Sequence, residues 1–325
     1  MTYNDYYLQH HGIIGQKWGI RRFQNKDGSL TLEGKKRYST EKDTDHNISI
    51  NTKKDRRNEV VGMYALSAMT LAANAATIGI GFISPQLLAA SAASTIAAFA
   101  THGMYIADSI AAKKATKKEE EFKKERENEP IDKKTGFHKK TTKMTPDEDM
   151  ERVNPAYKNW DENTKSNCVL CTATLELRRR GYDVQAKRAS RGYNGNEIIK
   201  DWFKGAKPKE SEGSLTNNQL ISNALTGQRQ SKADKIKMID STFDNILKQK
   251  NGARGQICFT FDGSTSGHSI AYANENGKVV IYDSQVNKKY VDDKARNYLE
   301  SAAKITVTRL DNCEINTKYI KEVAE

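Results

Sequence analysis

Cys168 follows Ser166-Asn167, a pair suited to the N-cap of a helix that begins CVLCTATLELRRR. Unpaired N–H groups and the positive dipole end at such a position favour thiolate over thiol. A cysteine there is a prepared nucleophile. After residue 138 the chain has one histidine, His268, at the start of the run HSIAYAN, which leads through a turn into KVVIYDSQ. If Glu275-Asn276 form the two-residue loop of that hairpin, His268 faces Asp283. If Asn276-Gly277 form it, His268 faces Gln285. The two partners are two residues apart, so both share the face of His268 in either register. Nucleophile, base and polar orienter make a thiol acyl-transfer site. His268 takes the thiol proton and later gives it to a leaving amine, while Asp283 fixes the imidazole tautomer. Asn167 and the Cys168 backbone N–H are candidates to hold the oxyanion. The plainer reading makes Cys168 and Cys171 small buried hydrophobes and His268 a structural residue; the coincidence of three members favours chemistry.

These residues need elements to hold them. Val169, Leu170, Ala173 and Leu177 form one apolar stripe over Cys168–Arg180, with cations in the last turn and Gly181 as the stop. Arg178, Arg179 and Arg180 are expected to face solvent. Tyr182–Ala189 reads as a strand, and helices are expected at 196–204, 216–226 and 233–250. The runs GQICFTFDG, HSIAYAN and KVVIYDS alternate as strands. A helix near 291–302, the strand KITVTRLD and a short terminal helix follow. Helices first and an antiparallel sheet after them define an α+β class. Cys171, Cys258 and Cys313 are expected in the core. A single C-x-x-C without a second ligand pair is a weak zinc signal, and here it follows a polar loop where a thioredoxin-like pair needs a strand. No metal and no cofactor are expected.

The segments NCVLCTATLELRRRGYDVQA, GHSIAY and VVIYDSQ occur in this order. Together they resemble the papain-fold toxin family, whose members include glutamine deamidases, over roughly residues 150–310. The resemblance implies a papain-like domain with Cys168 as nucleophile, His268 as base, Asp283 as orienter and Gln285 close by. It implies a protein substrate attacked at an amide: a glutamine side chain for deamidation, a backbone bond for proteolysis. Residues 205–250 are an insertion relative to the shortest members, and an immunity protein is a family-level partner. Near the start, HHGIIGQKWGIRRFQNKDGSLTLEGKKRY is similar to a short module of phage and mobile-element proteins of Gram-positive bacteria, and VNPAY to segments of phage head-associated proteins. These imply a virion context, with a capsid partner for the tail.

The whole chain divides sharply. Its 325 residues are 37% hydrophobic and 29% charged, yet Val60–Ala107 contains no Asp, Glu, Lys or Arg. A uniformly globular enzyme and a fully disordered protein are both excluded. We read residues 1–59 as a tail, 60–112 as an apolar helical hairpin, 113–148 as a charged stalk and linker, and 149–325 as the papain-like domain. Each half of the hairpin has the length of a membrane span. Lys53, Lys54, Arg56 and Arg57 before it, and Lys113, Lys114, Lys117 and Lys118 after it, put both ends on the cytoplasmic side. A buried Ala-rich hairpin is the alternative. Four cysteines suit a reducing compartment, and the first residues lack the pattern of a secretory signal. The expected location is membrane-associated with the catalytic domain in the cytoplasm, carried in a virion if the tail docks there. A net charge of +12 comes without base-reading or P-loop motifs, so specific nucleic-acid binding is not expected. Two functions remain: a thiol hydrolase effector, or a phage structural or ejection protein with an inactive papain-like module.

Overall fold

The computed structural model describes residues 57–58, 60–66, 68–69, 85–159, 161–189 and 192–325, all within one compact unit, Ile50–Glu325. The tail therefore lies almost wholly outside the described residues, as does most of the first apolar half. Residues 60–66 are helical, and Tyr64 packs edge-on against Phe99 at 6.2 Å while sharing a 2.7 Å hydrogen bond with His102.

Helix α1, Pro85–Arg126, runs for 42 residues from the apolar segment into the Lys/Glu-rich one. Among the described residues, no helix is long and apolar enough to cross a membrane. This corrects the spanning expectation for the second half of the hairpin: Ser94, Thr95, Thr101 and His102 dilute its hydropathy, and Asp108 follows closely. The charged end of α1 is bound to the domain. Arg188 makes two bonds of 2.9 and 3.0 Å to Glu119, and Arg152 pairs with Glu125 at 2.6 Å while lying over the Phe122 ring.

Residues 130–148, expected to be linker, pack on the domain as well. Phe137 is buried in the core, Tyr182 donates to Asp132 at 2.9 Å, and β1, His138–Lys139, pairs with β2, Tyr182–Asp183. Helix α2, Pro146–Glu151, opens with a Thr145/Glu148 capping box.

Helix α3, Cys168–Arg179, is the centre of the domain. Its expected stripe of Val169, Leu170, Ala173 and Leu177 enters one core cluster, while Cys171 and Leu175 enter another. Buried on two sides, α3 behaves as a core helix. Gly181, at φ +95°, ends it. Arg178 does not face solvent: it is fully buried, bonded to Asp149 at 3.2 Å, to Asp183 and to the Val184 carbonyl at 2.8 Å. Arg180 bonds Glu176 and the Cys313 and Leu310 carbonyls, and Arg179 pairs with Glu275. These cations tie separate segments together.

Helix α4, Gly195–Trp202, continues into β3, Phe203–Lys204. After β4, Lys209–Glu210, come α5, Asn217–Thr226, and α6, Lys232–Leu247. The sheet strands are β5, Arg254–Phe261; β6, Gly267–Glu275; β7, Lys278–Asp283; and β8, Lys288–Val291. Helix α7, Asp293–Leu299, leads to β9, Ala302–Arg309, and the short β10, Glu314–Ile315, pairs with β3. The antiparallel sheet has the order β4-β9-β5-β6-β7-β8. Alternation splits it cleanly: Ala271, Ala273, Val280 and Tyr282 meet α3, whereas Ile270, Tyr272, Val279 and Ile281 meet α6 and α7.

The β6–β7 hairpin resolves the open register. Glu275 pairs with Lys278 and Ala271 with Tyr282, so Asn276-Gly277 is the loop. Both residues have positive φ, 55° and 76°, the conformation of a type I′ turn.

Candidate active site

Three elements converge at one end of this sheet. Cys168 is the first residue of α3 and half-buried. His268 is the second residue of β6, paired across the ladder with Phe259. Asp283 is the last residue of β7. In the observed register Asp283 is diagonal to His268, and the two side chains join through a 2.9 Å bond from His268 Nε2–H to Asp283 Oδ2. That bond leaves Nδ1 for the thiol, and the Cys168 side chain interacts with the ring. Phe259 presses edge-on against the imidazole with centroids 5.8 Å apart, holding its plane.

The electrostatics follow from these contacts. Burial disfavours the imidazolium, but the Asp283 hydrogen bond and the neighbouring Cys168 side chain outweigh it and raise His268 to about 10. Burial likewise opposes ionisation of Asp283, yet His268, Tyr298 and the Val286 N–H hold its pKa below the ordinary carboxylate value. Burial pushes Cys258 up to about 12 and Cys171 upward as well. Both are therefore held as thiols and are poor nucleophiles.

Asn167 and Gln285 meet each other and do not point at the thiol. Gln285 Nε2 donates to Asn167 Oδ1 at 3.2 Å, and Asn167 Nδ2 donates to the Lys187 carbonyl at 3.0 Å. Asn154 adds bonds to the Thr164 and Gln285 carbonyls. Asn167 is fully buried and gives α3 no side-chain cap. Its bonds fasten the segment before Cys168 to the segment after Asp283, in place of the expected contact with the thiol as an oxyanion donor. The amides of the first turn of α3 remain suited to that role.

A second polar chain runs beneath Cys168. Gln256 donates to Ser269 at 2.9 Å, Ser269 to Thr172 at 3.0 Å, and Thr172 to the Cys168 carbonyl at 3.0 Å. Ser269 adjoins His268, so this chain ties the first turn of α3, which carries Cys168, to the strand of His268. Sequence reasoning missed it, and it missed Tyr298, whose hydroxyl donates to Asp283 Oδ2 at 2.7 Å. The only signal for Tyr298 was its place on an expected helix. Among the described residues, no group of three or more His, Cys, Asp or Glu side chains is arranged to hold a metal ion.

Residues 166–288 match the family described as papain fold toxin 1, glutamine deamidase. The matched papain-fold toxin segment begins two residues before Cys168, spans α3 to β7 and ends at the first residue of β8. It contains Asn167, Cys168, His268, Asp283 and Gln285, and agrees with the resemblance carried by the three motifs. Tyr298, β9 and α1 lie outside it. No match was found among curated proteins.

Proposed function

We propose that the domain hydrolyses the side-chain amide of a glutamine in a protein substrate, with Cys168 as nucleophile, His268 as base and Asp283 as orienter. The observation that carries this reading is the bond from His268 Nε2 to Asp283, which leaves the other ring nitrogen to a cysteine at a helix N-terminus. His268 takes the thiol proton, and the sulfur attacks the amide carbon to form a tetrahedral oxyanion. On this reading the first-turn amides of α3 would receive that charge. The imidazolium then protonates the departing ammonia, leaving a thioester on Cys168. Water, deprotonated by His268, attacks the thioester, releases a glutamate side chain and restores the thiol. The family match favours this outcome over backbone cleavage. On this reading the tail and the apolar segment would deliver or dock the domain, as the likeness of the tail to phage and mobile-element modules suggests.

The test is product analysis with a glutamine-rich protein as probe. We expect ammonia release and new glutamates without new N-termini, and loss of both products in Cys168→Ala and His268→Ala, the latter by at least about a thousandfold. Ammonia release that survives Cys168→Ala would refute the assignment, and new N-termini would indicate a protease.

A further inference from the structure

Asp283 can orient His268 only if its own carboxylate is held. In a buried site with an aspartate at a strand end, the carboxylate could otherwise rotate about its last torsion, which is broad for this side chain. Tyr298 supplies the restraint. Its hydroxyl reaches the same Oδ2 that accepts the His268 proton, at 2.7 Å against 2.9 Å for the imidazole. Two donors on one oxygen, arriving from α7 and β6, fix where that oxygen sits.

The tyrosine itself is unusually well placed. Its ring stacks on Tyr290 of β8 with centroids 4.4 Å apart, and its other side meets Phe259 edge-on at 6.1 Å. Phe259 also holds the His268 ring, so one phenyl group sets the separation of base and tyrosine. The entry to α7 is strained: Asp292 adopts φ +46°, a region costly for a residue with a Cβ. That conformation persists because Asp292 exchanges two bonds with Val279 of β7, its N–H donating to the Val279 carbonyl at 3.0 Å and its Oδ1 accepting from the Val279 N–H at 3.2 Å. The exchange anchors α7 to the strand that ends in Asp283.

We propose that Tyr298 is a positioning residue of the site, fixing the Asp283 carboxylate so that His268 presents Nδ1 to Cys168. This rests on the catalytic reading above and extends it to a residue beyond the matched family segment. The groups facing Asp283 are His268 on β6, Tyr298 on α7, Tyr290 on β8, Tyr157 in the segment before α3, and Cys171 on α3. Of these only His268 and Tyr298 donate a side-chain hydrogen bond to the carboxylate. Removing the phenol therefore makes Asp283 easier to protonate, and protonated Asp283 no longer supports the His268 imidazolium.

In the full chain, Tyr298→Phe keeps the ring contacts and removes only the hydroxyl. The readout is the pH profile of iodoacetamide alkylation at Cys168, with the thermal midpoint as a control. We expect the acid limb to move up by about one pH unit while the midpoint shifts by no more than a few degrees. Tyr290→Phe, which loses no bond to Asp283, should leave the limb in place. In an Asp283→Asn background Tyr298→Phe should add nothing, because its effect passes through the carboxylate. The proposal is overturned if Tyr298→Phe leaves the limb unchanged while His268→Ala alters the profile. An equal shift in Tyr290→Phe or in the Asp283→Asn background would overturn it as well. If His268→Ala also changes nothing, the catalytic reading falls and the proposal with it, an outcome distinct from the others.

Discussion

The half-buried His268 sits against the preference of its own charge. Desolvation alone would lower its pKa, yet Asp283 and Cys168 raise it to about 10. The sign follows for stability. An unfolded histidine titrates near about 6.5, so the native contacts of the imidazolium stabilise the fold fully below that pH, and their contribution is lost as pH rises through about 10. We expect the difference in thermal midpoint between wild type and His268→Ala to be largest on the acid side of neutrality and to shrink towards alkaline pH. A difference that grew with pH would contradict the ion pair. The pairing of His268 with Asp283 is legible in the sequence, because the period of two puts 283 and 285 on one face whichever turn closes the hairpin. The burial of Arg178 is not. Cations at a helix end usually complement its dipole in solvent, but Asp149 from a distant segment and Asp183 from just past the helix end enclose this one. Truncating it removes the guanidinium from two buried carboxylates, of which Asp149 keeps Lys140 at 2.7 Å, so Arg178→Ala should cost about 3–5 kcal/mol in denaturant unfolding.

Between elements, the decisive contacts are those that set α3 against β6. The Gln256–Ser269–Thr172 chain ends on the Cys168 carbonyl, so the separation of thiol and imidazole is fixed by buried hydroxyls and not by packing alone. Thr172→Val preserves shape and leaves Ser269 without its acceptor. We expect a loss of about 1–3 kcal/mol and slower alkylation of Cys168; unchanged values of both would show that packing suffices. Gly195 makes a similar point through close approach. A Cβ there would stand 2.5 Å from Cys258 Sγ and 3.2 Å from both Gln256 Nε2 and Val169 Cγ2, so Gly195→Ala should destabilise by about 1–3 kcal/mol. The apolar stripe of α3 and the main strands could be read from periodicity. The edge strand β8 could not, since KKYV is short and half charged, and Tyr298 could not, since nothing local places a residue of α7 beside the end of β7.

At the scale of the whole molecule, the composition divides the chain at places the fold does not respect. Helix α1 crosses from the apolar run into the charged one without a break, and the segment after it packs on the domain through Phe137 and Asp132. Contacts between α1 and the domain include those of Glu119, Phe122 and Glu125, all beyond residue 112. A chain starting at residue 113 should therefore retain them, with a thermal midpoint within a few degrees of the full protein and unchanged alkylation of Cys168. A large loss of either would mean that the apolar segment supports the site. The most direct measurement on the site itself is the NMR titration of the His268 imidazole in wild type and in Cys168→Ala. We expect the wild-type ring to stay protonated to about pH 10 and its midpoint to fall when the thiol is removed. A ring that titrates near about 6.5 in both proteins would contradict the coupled thiol–imidazole pair on which the proposed account of the site rests.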